Sequence, residues 1–163
     1  MIIRFVDFKG EARIPDLYAP VGANADINTA TQNEVLEYCE KYEPQFLEMF
    51  YIKHDTELAD ILAYNELPEE QQTDSEKNIL LQSLRTMIAD YVAFYYFRNQ
   101  SVINSGVGAV IMQPQHAERT DIVNKCVVVW NDMVRIARKL HVELFGWEYP
   151  KEEIFHKINF LNL

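Results

Sequence analysis

Two long stretches of this sequence repeat apolar residues every three or four positions, and this repeat constrains the fold more than any other feature. Such spacing places the apolar side chains on one face of an α-helix. We therefore predict one helix from Ser75 to Arg98 and another from Val123 to Leu144. Because each would carry a single apolar face, the two helices are expected to pack against each other. The apolar positions are Leu80, Leu84, Met87, Tyr91 and Phe94 in the first helix, and Val123, Val127, Trp130, Val134, Ala137, Leu140 and Leu144 in the second.

An earlier apolar repeat, from Val35 to Phe50, predicts a third helix. It is preceded by Thr31 and Glu34, whose spacing is that of a capping box, in which each side chain bonds the other residue's backbone N–H. Pro44 falls inside the repeat. Since the apolar face continues beyond it, we expect Pro44 to bend this helix rather than end it.

A fourth, shorter helix is predicted over residues 54–65. The polar and acidic run 66–72 then predicts a solvated connector, because it lacks the spacing of an ion-binding loop. Thr73 and Glu76 repeat the capping-box spacing and predict the start of the long helix that follows.

Residues 99–115 do not follow a helical repeat. They contain two short apolar runs around Asn104, Ser105 and Gly106. A turn at Asn104 and Ser105, with Gly106 at positive φ, would join these runs into a β-hairpin between the two long helices.

The predicted fold class is therefore mostly α. We expect a single domain over residues 1–163, with a small bundle of about four helices in residues 31–146 and the β-hairpin inserted in it. Residues 1–30 are expected to form an extended, loop-rich lead-in, because Pro and Gly recur there without a sustained period. Residues 147–163 are expected to form an extended tail arm.

The charge balance disfavours a protein that grips nucleic acid. The chain has 25 acidic and 15 basic side chains and a formal net charge of −10, whereas phosphate binding needs clustered Lys and Arg. The first eight residues are too short and too charged for a signal peptide, and no apolar run approaches the ~20 residues of a membrane span. Cys39 and Cys126 lie in helical patterns without CxxC spacing, which favours buried thiols in a reducing compartment.

Residue patterns typical of catalysis or of cofactor binding are not found. The four histidines (His54, His116, His141 and His156) share no i, i+3 or i, i+4 spacing. Glu153 and His156 form one Glu-x-x-His, whereas a dinuclear iron site in a bundle needs two such motifs. Gly106 and Gly108 form a lone GxG without the lysine of a phosphate-binding loop. We therefore predict no catalytic residue, no metal ligand and no cofactor. The aromatic run Tyr91–Phe97 is interpreted mostly as core.

Two stretches carry a resemblance to a known family. Residues 88–102 (IADYVAFYYFRNQSV), followed by the glycines near 106–108 and the helix 123–144, resemble the head–tail connector proteins of tailed phages and prophages. Residues 38–47 (YCEKYEPQFL) are similar to a YI-x-KYE-x-x-(F/Y)-L stretch in small virion proteins of Bacteroidetes phages. The resemblance implies a non-enzymatic helical bundle that forms a ring and joins the portal to the tail.

Independently of this resemblance, the segment between the two long helices is the expected assembly interface. A lone two-stranded ribbon is marginally stable in water, so its apolar residues need either their own bundle or a neighbouring subunit. The expected partners are copies of the same chain and portal or tail proteins, and the expected location is the virion after synthesis in the bacterial cytoplasm. Two alternatives stay open: a ligand- or metal-binding helical bundle, possibly an enzyme, and a cytosolic protein-interaction module. The predicted interface residues are Val102, Ile103, Val107, Val110, Ile111 and Met112.

Overall fold

The protein is mostly helical. A computed structural model describes residues 1–15, 17, 25–100, 103–105, 108–110, 122–145 and 155–159. Within these residues there are three α-helices: α1 (Ala25–Asn65), α2 (Ser75–Gln100) and α3 (Ile122–Phe145). Because α2 packs against both α1 and α3, it is the central element of the bundle.

The middle of α2 is buried on every face. All eight residues from Met87 to Phe94 are buried, which is more than two helical turns. A helix that is enclosed all round is typical of the centre of a bundle. At its start, Asp74 Oδ1 accepts the backbone N–H groups of Glu76 (3.0 Å) and Lys77 (3.1 Å). The predicted capping box of Thr73 and Glu76 is therefore wrong, because the capping side chain is that of Asp74.

Helix α1 merges the two helices predicted before residue 66. It runs for 41 residues and includes Pro44, so the prediction that the helix continues past Pro44 is confirmed. The break predicted between residues 50 and 54 is wrong, because no Gly or Pro stands between residues 45 and 65 to stop the helix. The helix also begins before Thr31, which therefore does not cap it.

Helix α3 confirms the strongest repeat in the sequence. It spans Ile122–Phe145, within a residue of the predicted bounds at each end. Its buried side chains include those of Val129, Met133 and Val134, and these face the central helix α2.

The first residues do not form the predicted extended lead-in. Two 3-10 turns, Phe5–Asp7 and Gly10–Ala12, pack against the bundle. The apolar side chains of this N-terminal segment, by which we mean residues 1–15 and Leu17, are largely buried and close one side of the core. Those buried are Ile2, Ile3, Phe8, Ala12, Ile14 and Leu17.

The other predicted arm is also docked where the structure describes it. Residues 155–159, here called the C-terminal segment, have no regular secondary structure. The side chain of Phe155 is 1% exposed and stacks on Phe46 of α1, with ring centroids 5.4 Å apart. The predicted tail arm is therefore docked on the bundle at this segment, since its aromatic ring belongs to the core.

The β-hairpin predicted over residues 99–115 is not supported in that form. Residues 99 and 100 belong to α2, and strand pairing is confined to β1 (Ile103–Ser105) and β2 (Gly108–Val110). Ser105 lies opposite Gly108, so Asn104 and Ser105 are paired rather than at the turn. The fold class is corrected to a helical bundle in which β-structure, among the described residues, is no more than this six-residue pairing.

Candidate functional site

The predicted interface lies between the two long helices, and the structure describes two of its six residues. Ile103 and Val110 are opposite each other in the antiparallel pairing. Val102, Val107, Ile111 and Met112 fall outside the described residues. Among the elements with assigned bounds, neither strand has extensive contact with a helix, whereas the two strands contact each other throughout. Strands β1 and β2 are therefore not a layer of the bundle core.

The structure describes the two helix ends that flank this segment. At the end of α2, the Gln100 amide donates a 2.6 Å hydrogen bond to Glu34 of α1. At the start of α3, Ile122 and Val123 are exposed to 36% and 37%. Two exposed apolar residues thus lie at the start of α3, where a neighbouring molecule could cover them.

The aromatic run of α2 is core, as predicted. Tyr91, Phe94, Tyr96 and Phe97 are buried, and Tyr95 is half-buried. The Tyr95 ring stacks on Tyr42 of α1 with a centroid distance of 4.1 Å and an interplanar angle of 7°. Burial raises the pKa of the Tyr91 hydroxyl, and its hydrogen bond with Tyr95 raises it further. Rings packed in this way connect α1 to α2.

An acid is buried among these apolar residues. The Asp90 side chain is on the central helix and is 5% exposed. Burial raises the pKa of its carboxyl group to about 8, and the nearby Asp132 acts in the same direction while Arg135 opposes it. Asp132 and Arg135 are both on α3 and pair with each other at 3.2 Å. The contact between α2 and α3 therefore includes a carboxyl group that is largely protonated at neutral pH.

The N-terminal segment is held by charged side chains. The buried carboxylate of Glu43 accepts the backbone N–H groups of Ile2 (2.7 Å) and Ile3 (3.1 Å). From the central helix, Arg85 donates to the Ile2 carbonyl (3.2 Å) and to the Asn65 side chain (2.7 Å). These contacts satisfy backbone groups that a strand partner would otherwise bond.

The C-terminal segment is held by neutral side chains of α3. The Trp130 indole N–H donates to the carbonyl of His156 at 2.7 Å. The Asn131 amide donates to the Ile158 carbonyl and accepts the Ile158 N–H, both at 2.9 Å. Asn131 thus bonds this backbone as a neighbouring β-strand would.

The two thiols are buried, which confirms the prediction for Cys39 and Cys126. Burial raises the pKa of the Cys39 thiol to about 12, with Glu43 and Glu40 adding to the effect. Burial also raises the pKa of Cys126. A thiol that stays protonated is a poor nucleophile, so neither cysteine is suited to covalent chemistry.

The side chains with metal-binding chemistry are dispersed where they are described. Across the described parts of the chain, no group of three or more His, Cys, Asp or Glu residues is placed to hold a metal ion. His141 is buried, which lowers its pKa. His156 is exposed in the C-terminal segment, while Glu153 and His116 fall outside the described residues.

In comparisons with known proteins, no family model, no curated protein and no solved structure matches the chain. None of the helices that the structure describes has both the length and the apolar content needed to cross a membrane.

The sequence analysis did not identify the groups that hold the two terminal segments, nor the buried acid Asp90. Glu43 and Asp90 had a visible signal, because each is an acid at a position of a helix that its neighbours show to be buried. Asn131 and Arg85 had none. Each bonds a backbone group far along the chain, and no local pattern reports such a contact.

Proposed function

We propose that this chain is a non-enzymatic virion assembly protein, a head–tail connector subunit that joins a portal to a tail through ring-type contacts. In this proposal the segment between α2 and α3, with Ile103 and Val110, makes the subunit contacts. Its partners are further copies of the chain and portal or tail proteins, and its place of action is the virion.

One observation supports this proposal more than any other. The described bundle core is filled by the chain's own residues, including both terminal segments, whereas strands β1 and β2 have their main contacts with each other. The sequence between α2 and α3 is rich in β-branched residues, which fit a paired or packed surface. Folding and assembly would then depend on different parts of the chain.

The test separates assembly from stability. Ile103→Asp combined with Val110→Asp should abolish ring formation, because charges buried in an interface without partners are costly. It should leave the melting temperature nearly unchanged, since substitutions outside a core usually cost within ~0.5 kcal/mol. The measurement is mass-resolved chromatography of the chain, with and without a candidate portal protein, alongside a thermal melt.

The matched control adds the same charge elsewhere. Ile79 and Val6 are exposed to 61% and 48%, so Ile79→Asp with Val6→Asp should assemble like the unmodified chain. Normal assembly of the Ile103 and Val110 variant would contradict the proposed interface. Unfolding of that variant would instead assign the segment to the protein's own core.

A further inference from the structure

A cleft opens where the N-terminal segment meets the start of α3. It has a volume of about 430 Å³ and is lined by Gly10, Glu11, Arg13, Pro15 and Lys125. Clefts that bind small ligands usually have volumes of roughly 300–1,000 Å³, so this one has room for a ligand of modest size.

The walls of this cleft are fixed by packing. Ala12 and Ile14 alternate with the lining residues and are 1% and 2% exposed, which holds the backbone against the bundle. The 3-10 turn Gly10–Ala12 packs on both α2 and α3. Gly10 has a φ of +56°, a left-handed conformation that a residue with a side chain would adopt only with strain.

Lys125 is held in place by two contacts. Its Nζ donates a 3.3 Å hydrogen bond to the carbonyl of Arg13 and lies 3.9 Å from the centroid of the Phe97 ring. An ammonium group has three N–H donors, so this hydrogen bond leaves two for a ligand. Burial lowers the pKa of Lys125, while Glu11 and Cys126 act in the opposite direction.

The cleft carries excess positive charge in a chain whose net charge is −10. Lys125 and Arg13 provide two cations and Glu11 one anion, and in the part of the chain that the structure describes neither cation forms an ion pair. A lining with one net positive charge suits a singly charged carboxylate better than a phosphate, which carries about −1.5 to −2.

We propose that this cleft binds a carboxylate group, with Lys125 and Arg13 donating hydrogen bonds to its two oxygens. The carboxylate belongs either to a free small acid or to the C-terminus of a peptide, since both present the same group. Binding restores to Lys125 the charge stabilisation that burial removes.

The test is a ¹H–¹⁵N NMR titration of the full chain at constant ionic strength. The probes are butyrate, an acetylated tripeptide with a free C-terminus, the same tripeptide amidated, and inorganic phosphate. We expect saturable shifts of the Gly10, Glu11, Arg13 and Lys125 amides with butyrate or the free tripeptide. Whichever of these two binds more tightly identifies the source of the carboxylate, and either result upholds the site.

Substitutions locate the binding. Lys125→Met keeps an apolar stem on Phe97 and should weaken carboxylate binding roughly tenfold or more, because a charge-assisted hydrogen bond is lost. Arg13→Gln, at an exposed position, should weaken binding without lowering the melting temperature. The matched control is Lys41→Met: Lys41 also lies over an aromatic ring, 5.0 Å from the centroid of Tyr42, but does not line this cleft.

A second readout follows the charge of Lys125 directly. A bound carboxylate should raise the pKa of Lys125, which is measured from its ¹³Cε chemical shift. The neighbouring groups that also affect this pKa, with or without a ligand, are Glu11, Arg13 and Cys126. The proposal is overturned if no probe gives saturable shifts. It is equally overturned if phosphate binds as tightly as butyrate, or if the amidated tripeptide binds as tightly as the free one. It is also overturned if Lys125→Met, folded by its melt, binds like the unmodified chain.

Discussion

The two terminal segments both dock on the bundle, but by different chemistry. At the N-terminus, the carboxylate of Glu43 and the guanidinium of Arg85 bond backbone groups of Ile2 and Ile3. At the C-terminus, Asn131 bonds the backbone of Ile158 through a neutral amide, and the Phe155 ring is inserted into the core.

This difference indicates what each attachment depends on. A buried carboxylate that loses its partners remains a buried charge, so detaching the N-terminal segment from the bundle is costly. A partly exposed amide can exchange its partners for water, so the C-terminal attachment should depend mainly on its aromatic ring. We expect the N-terminal segment to unfold with the bundle and the C-terminal segment to be released by a single core substitution.

The largest effect is expected from Phe155→Ala. Removing a ring that is 1% exposed and stacks on Phe46 leaves a cavity, and such changes cost about 3–5 kcal/mol. Urea unfolding measures this cost, with Lys157→Ala, at an exposed position of the same segment, as the control. A loss of less than ~1 kcal/mol would mean that the C-terminal segment is not part of the core.

A pH effect should follow, from the α2–α3 contact beside the C-terminal attachment. Burial raises the pKa of Asp90 from 3.8 to about 8, so the folded state holds a proton that the unfolded state releases. The contribution of Asp90 to the free energy of unfolding is therefore greatest below about pH 4 and is lost as the pH rises to about 8. Each tenfold change in proton affinity is worth about 1.4 kcal/mol, which sets the upper limit of this loss. Because the buried site relaxes in part when it ionises, we expect a smaller loss, on the order of 3 kcal/mol.

Asp90→Asn tests this effect, because the amide has the shape of the protonated acid. The variant should be more stable than the unmodified chain at pH 9, and its stability should change less between pH 5 and pH 9. Asp60→Asn, at an exposed position of α1, is the control. Equal pH profiles for the unmodified chain and the Asp90 variant would show that Asp90 ionises without cost.

A smaller effect is expected from Glu43→Gln at the N-terminal attachment. The amide keeps one acceptor oxygen but places an NH₂ group against a backbone N–H, so one buried donor loses its partner. The expected cost is about 1–3 kcal/mol in urea unfolding. Glu40→Gln, one turn earlier in α1 and exposed, is the matched control and should cost almost nothing; equal stability of the two variants would count against the carboxylate as the anchor.

The smallest effect is expected from Asn131→Ala. It removes both hydrogen bonds to Ile158, but water can replace them at a partly exposed site, so the cost should be about 1 kcal/mol. Hydrogen exchange gives a sharper measurement, because the Ile158 N–H should lose its protection while the Ile2 N–H keeps it. Unchanged protection at Ile158 would mean that the segment is held by Phe155 without the amide.

The long helices were predictable because their information is local. The repeats in residues 75–98 and 123–144 specify a helical face whatever packs against it, and α2 and α3 follow them closely. The predicted break between residues 50 and 54 was wrong because the apolar pattern there is weak and residues 45–65 contain neither Gly nor Pro to stop the helix.

The sequence by itself determined where the helices lie, which of their faces are apolar and that the aromatic residues of α2 belong to the core. Only the tertiary structure decided that the terminal segments dock, that Glu43 and Asn131 hold them, and that Lys125 meets Arg13 across a cleft. The physical reason is range: Ile2 bonds residues 41 and 83 positions away. Such partners meet only when the packing of three helices has brought them together.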